Sequence, residues 1–157
     1  MSVDVRPAVA LDAAPISHLL ATVIRHSCTG VLAPDDVARL VGANCSLPRI
    51  AAEIGIPGGA PGWLGWLVVA EPDGRIAGAA AGGVPGAGAG EIYALCTAPD
   101  RRRRGIGGAL LAALGDRMRP LDARRQRVTL LRDGDPALAF FTAHGFTGEG
   151  RRLTRAL

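Results

Sequence analysis

Residues 91–114, EIYALCTAPDRRRRGIGGALLAAL, constrain this chain more than any other stretch. Glu91 to Thr97 alternates in polarity and is bounded by Pro99-Asp100, so it reads as a strand. From Gly105 onward, Ile106, Leu110, Ala113 and Leu114 fall on one helical face. Arg101 to Arg104 lie between, followed by Gly105, Gly107 and Gly108. A strand that passes through a basic glycine-rich turn into a helix leaves backbone N–H groups free at the positive end of a helix dipole, and such a turn is an anion site. Glycine there lets a phosphate approach the backbone where a Cβ would obstruct it. The expected ligand therefore carries phosphate.

The elements around this stretch set the fold class. Val3 to Pro7 reads as a short first strand, with Asp12 as N-cap of a helix through Ile16, Leu19, Leu20, Val23 and Ile24. A second helix is predicted from Pro34 to Gly42, with Asp35 and Asp36 in its first turn. Ser46 can cap a short helix through Ile54, after which Gly55, Pro57, Gly58, Gly59, Pro61 and Gly62 make a loop. Trp66 to Ala70 and Arg75 to Val84 form strands about a turn at Glu71-Pro72-Asp73-Gly74. The small residues of RIAGAAAGGV predict that another element approaches the sheet closely there. After the central helix come a strand over 127–131, a helix begun by Asp135-Pro136 and ended by Gly145, and a last strand within 151–157. Hairpin-linked strands followed by crossover helices imply an α/β fold with a mixed, mostly antiparallel central sheet flanked by helices. Residues 1–157 read as a single domain.

Composition removes several functions. A mean hydropathy of +0.23 fits a packed globule. No run reaches the roughly 18 apolar residues of a membrane span, so no membrane partner is expected. The first residues lack the basic-then-apolar order of a secretory signal, and Cys28, Cys45 and Cys96 are scattered without metal spacing. Reduced thiols, a cytoplasmic location and no metal follow as expectations. All 18 basic residues are arginine, yet the net charge is only +4. With few aromatics to stack bases, the arginine turn points to a compact phosphorylated ligand and away from nucleic acid.

Arg102-Arg103-Arg104-Gly105-Ile106-Gly107 resembles the R/Q-x-x-G-x-G/A signature of the GNAT family of N-acetyltransferases. Downstream, ALAFFTAHGF at residues 137–146 is similar to the family's A-x-x-[FL]-Y-x-x-x-G-F helix, and the N-terminal RPA strand and paired helices match as well. The resemblance implies acetyl-CoA, or another acyl-CoA, as co-substrate. It further implies that the backbones of Arg103, Arg104, Gly105, Gly107 and Gly108 hold the pyrophosphate, with Arg102 opening the motif. Leu95, Cys96 and Thr97 would pair with the pantetheine arm, and the amide near Leu95 would steady the thioester oxyanion.

The family also locates candidate chemistry. Glu91 stands eleven residues before Arg102, where the resemblance places a general base, although many members deprotonate the amine through water. The usual tyrosine acid falls at Phe141, which has no hydroxyl, and the asparagine that often opens that helix is Gly134. Tyr93 shares a strand face with Glu91 unless a bulge intervenes, so it is the candidate replacement acid. Cys96 reads as a small buried hydrophobe, and no Cys/His or Ser/His/Asp set is present. Direct acyl transfer to a primary amine in a ternary complex is the expected reaction, with a small molecule or peptide as acceptor. A catalytically weak acyl-CoA sensor is the alternative that Phe141 and Gly134 favour. Only eleven residues follow Phe146, so the terminal hairpin that usually walls the acceptor pocket must be very short or lack a strand. The pocket would then be open, or completed by residues 55–65 with Trp63 and Trp66, or by a second subunit in a homodimer.

Overall fold

The computed structural model describes residues 3–55 and 62–157. A two-residue strand, β1 (Arg6–Pro7), precedes three helices: α1 (Ala13–Cys28), α2 (Pro34–Asn44) and α3 (Leu47–Gly55). Asp12 does not cap α1 as its position predicts. Its carboxylate turns back to accept the Val9 amide at 2.8 Å and the Arg6 guanidinium at 2.7 and 3.2 Å, which ties β1 to the start of α1. The hydrogen bond from Arg6 holds the Asp12 carboxyl below its ordinary range. Ser46 does cap α3, its Oγ accepting the Arg49 amide at 3.3 Å.

β2 (Trp63–Ala70), β3 (Ile76–Gly86) and β4 (Ala89–Thr97) form a meander, and α4 (Ile106–Met118) crosses from it to β5 (Arg125–Thr129). The chain closes with α5 (Ala137–Ala143) and a hairpin of β6 (Thr147–Glu149) and β7 (Arg152–Ala156). The sheet order is β1-β2-β3-β4-β5-β7-β6, antiparallel at every pairing except the parallel β4–β5 contact. This is the mixed, mostly antiparallel sheet flanked by helices that the pattern predicts. β5 starts two residues before its expected place because Gly88 accepts the Arg124 and Arg125 amides at 2.8 and 3.2 Å. The terminal hairpin keeps both strands and is very short.

Two apolar layers cover the sheet. On one face, Ile106, Leu110, Leu111, Leu114 and Met118 of α4 pack with Ile92, Val128, Phe141 and Phe146. On the other, Ile16, Leu19 and Leu20 of α1 and Ile50 of α3 pack on Trp66, Val68, Ala79, Ala81 and Cys96. Each fully buried Leu or Met side chain contributes about 1.5–3 kcal/mol, so α4 is anchored by its own face. The close approach expected at RIAGAAAGGV is made by α4. A Cβ on Gly78 would sit 2.5 Å from Ile106 Cγ2 and 3.0 Å from Leu110 Cδ1, and one on Gly90 would run into Met118. Gly78→Val is therefore expected to destabilise by about 1–3 kcal/mol, read as a lower Tm, since overpacking at a backbone-to-helix contact has no easy relief. An unchanged melting curve would show that α4 can retreat from the sheet at little cost. Among the described residues no helix is long and apolar enough to cross a membrane.

Candidate active site

The β4–β5 ladder stops early. Its register runs from Ala89↔Arg125 to Ile92↔Val128, and among the described residues no strand pairs with β4 on that side beyond Ile92. Past its end the chain keeps its β7 side, Leu130 donating its amide to Arg151 O at 2.7 Å, while Leu131 donates to Asp135 Oδ2 at 3.2 Å and not to β4. A bulge at Tyr93 also shifts the β3–β4 register, from Gly82↔Ile92 to Ala81↔Ala94. Tyr93 to Thr97 is left as an edge inside the sheet.

Strand alternation decides which amides face that edge. Ala98 donates to Ala77 O at 2.8 Å, so Ala98, Cys96 and Ala94 turn their backbone groups to β3. Leu95 and Thr97 turn theirs to the open side. Of the predicted trio, these two have amides free for an added strand. Cys96 offers its neighbours only a buried side chain, and burial pushes its thiol up to about 12. It is protonated at neutral pH and is no nucleophile.

The edge leads directly into the glycine turn. Arg103 and Gly105 both have positive φ, 64° and 78°, on either side of Arg104, and α4 starts at Ile106. Such alternation aims successive N–H groups into one concavity at a helix N-terminus. A Cβ on Gly105 would point into open space. Gly107 and Gly108 also meet a demand that the sequence does not show. A Cβ there would press on Phe140 Cε2 at 3.0 Å and His144 Nε2 at 3.2 Å, so their small size admits α5. Arg102, Arg103 and Arg104 are exposed and make no ion pair among the described residues. Arg101 behaves otherwise, bonding Glu71 at 2.8 Å and Asp100 at 3.2 Å to fasten the turn to the β2–β3 hairpin.

Glu91 stands where the two central strands are still paired, its Oε1 2.6 Å from Nη2 of Arg127 on β5. Its side chain lies opposite Ile92, on the α1 side of the sheet. Tyr93 emerges on that side too, despite the bulge. Its ring is stacked on Trp63 with centroids 5.8 Å apart. Partial burial, and then the charge of Glu91, raise the Tyr93 hydroxyl above its ordinary pKa. Phe141 is buried among Phe140 and Phe146. Gly134 has a φ of 70°. Of the loop proposed to complete the acceptor pocket, residues 56–61 lie outside the described residues. No group of three His, Cys, Asp or Glu side chains among the described residues is placed to hold a metal.

Known structures share this architecture. PaiA N-acetyltransferase from Thermoplasma acidophilum, solved with coenzyme A, superposes with a TM-score of 0.86 over 100% of both chains at 16% identity. A GCN5-related N-acetyltransferase from Rhodopseudomonas palustris gives 0.77 over 100% of this chain and 97% of its own, at 18% identity. A GNAT family acetyltransferase from Brucella melitensis, solved with acetyl-CoA, gives 0.64 over 99% and 88% at 21% identity. No curated protein matches the chain by sequence. The model of the acetyltransferase (GNAT) domain matches residues 64–148, from β2 into β6 and across the open edge and the glycine turn, and the chain belongs to the GNAT acetyltransferases.

Proposed function

We propose that residues 1–157 form one domain that transfers an acetyl group from acetyl-CoA, or an acyl group from another acyl-CoA, to a primary amine. The observation that carries this is the unpaired edge of β4 running straight into the amide-lined turn before α4. An extended pantetheine arm would bond Leu95 and Thr97, and the amides over Arg103, Arg104 and Gly105 and at the start of α4, including Gly107 and Gly108, would hold the pyrophosphate, with Arg102 at its flank. Coenzyme A and acetyl-CoA in the two fold relatives support the choice of ligand. The amine nitrogen attacks the thioester carbon, the Leu95 N–H steadies the oxyanion, and the C–S bond then breaks to release the thiolate. No acyl-enzyme is needed, which suits a Cys96 thiol that stays protonated.

Glu91 accepts the proton that the amine loses. It precedes Leu95 by four residues, about 10–13 Å along a strand, so the transfer runs through water. Tyr93, level between the two and protonated at neutral pH, lies on the same face as that path and is the hydroxyl available to the leaving thiolate. The acceptor is a small molecule or peptide amine, and a cytoplasmic site suits the acyl-CoA. One set of features favours a second reading as a weak or inactive acyl-CoA sensor: buried Phe141 in the tyrosine position, Gly134 in the asparagine position, and Glu91 tied to Arg127.

Calorimetric titration with acetyl-CoA tests the cofactor, and its failure would end both readings. A panel of amines followed by CoA thiol release then separates enzyme from sensor. In an active enzyme, Glu91→Gln should lower kcat by about 10²-fold or more and alter the pH profile. Full rate with the wild-type profile would remove Glu91 from the role. Sizing the protein with and without acceptor shows whether a second copy completes the pocket.

A further inference from the structure

A cleft of about 330 Å³ opens between α2 with the segment before it and the chain that leaves the end of β5. Stepping the parallel register forward from Ile92↔Val128 brings Leu131 level with Leu95, or one residue past it once the Tyr93 bulge is counted. Leu131 follows Arg127 and Thr129 on alternate positions, so it belongs to the face of Glu91 and Tyr93. Leu32 before α2 and Leu40 on α2 complete an apolar wall with it. The cleft therefore lies along the chain that parts from β4, on the sheet face of Glu91 and Tyr93.

Its polar groups are unbalanced. Arg132 donates Nη2 to Ser27 O at 2.8 Å and Nη1 to Asp133 O at 3.0 Å, and its Nε is buried without a partner. Arg151 donates Nε to Leu130 O at 2.7 Å. Neither guanidinium has a carboxylate partner among the described residues. Asp36 is occupied by Arg39 at 3.0 Å. Two guanidiniums held in place by carbonyls, with no countercharge, form a preset receptor for a planar anion, since the guanidinium fork matches a carboxylate. Asp133 and Asp36 at the same cleft oppose a dianion such as a phosphate monoester. The leucine wall suits an aliphatic stem within a volume typical of small-molecule sites.

We infer that the acceptor carries a carboxylate beside its amine, held by Arg132 and Arg151 while the amine faces Leu95. The inference rests on the N-acetyltransferase reading. At saturating acetyl-CoA, leucine and 4-aminobutyrate are compared with their primary amides. The acids are expected to show kcat/KM about 10- to 100-fold higher, the worth of one or two charge-assisted hydrogen bonds. Exposed Arg151→Gln should remove the preference by raising KM, with kcat changed by no more than about twofold. Arg132→Lys keeps the charge, loses the fork and should remove part of it. Equal rates for acids and amides, or a preference that survives both variants, overturns the inference while leaving the acetyltransferase reading intact. If no amine is turned over, that reading fails and the cleft is judged by calorimetry with N-acetylleucine against N-acetylleucinamide. Binding of the acid alone, lost in Arg151→Gln, upholds the carboxylate site; no difference between the two ligands overturns it.

Discussion

Leu95→Pro should lower kcat by about 10²–10³-fold while the protein folds normally and still binds acetyl-CoA, the loss expected when one oxyanion donor is removed. Proline deletes one backbone donor. At most strand positions that would break the ladder, but the Leu95 amide points away from β3, toward the side where the β4–β5 ladder has already ended. An edge position of this kind accepts proline, and Ala94 before it is already extended as proline requires. The side chain packs only partly against the α4 layer, so the burial lost is small. Leu95→Ala is the control, since it removes more side chain and keeps the N–H. The proposed role predicts that the alanine variant retains most of its rate and the proline variant does not. Similar rates in the two would mean that the thioester carbonyl is steadied elsewhere. Thermal melts of both variants separate lost catalysis from lost fold.

Much of this geometry is legible in the sequence because it is local. The alternation of Glu91 to Thr97, the glycine turn and the amphipathic face of α4 each follow from residues a few positions apart, as does the Ser46 cap. What escapes is set by partners distant in sequence. The open edge depends on where β5 leaves β4, at the point where the Leu131 amide goes to Asp135. The Tyr93 bulge is a property of the β3–β4 register and not of its neighbours. Asp12 has the residue type and position of a helix cap, but Arg6 competes for its carboxylate and wins with two charge-assisted hydrogen bonds. The same holds for the glycines. Gly105, Gly107 and Gly108 form one motif on paper, yet the first supplies a left-handed turn and the others make room for Phe140 and His144. Arg132, which reaches Ser27 at the end of α1, gives no local signal at all.

That division among the glycines makes Gly105→Val the sharpest test of cofactor binding. Valine at a φ of 78° costs more than the 1–2 kcal/mol that left-handed backbone costs an ordinary residue. Its Cβ would project into the open space before the turn, where the pyrophosphate is proposed to lie. Since the position is exposed and precedes the buried face of α4, the change should spare the core and displace the N–H groups over 103–106. Losing one or two hydrogen bonds to a charged phosphate corresponds to a Kd for acetyl-CoA raised about 10²-fold, with kcat at saturation much less affected. The competing source of affinity is the charge of Arg102, Arg103 and Arg104. Exposed guanidiniums act through screened attraction, so replacing all three by glutamine should weaken binding less than Gly105→Val does, and the loss in the triple variant should shrink as salt is added. If the triple variant loses more affinity than Gly105→Val, the turn works by arginine charge and its backbone geometry is secondary. If instead Gly105→Val binds as well as the wild type, the phosphates lie elsewhere and the site built on this turn is wrong.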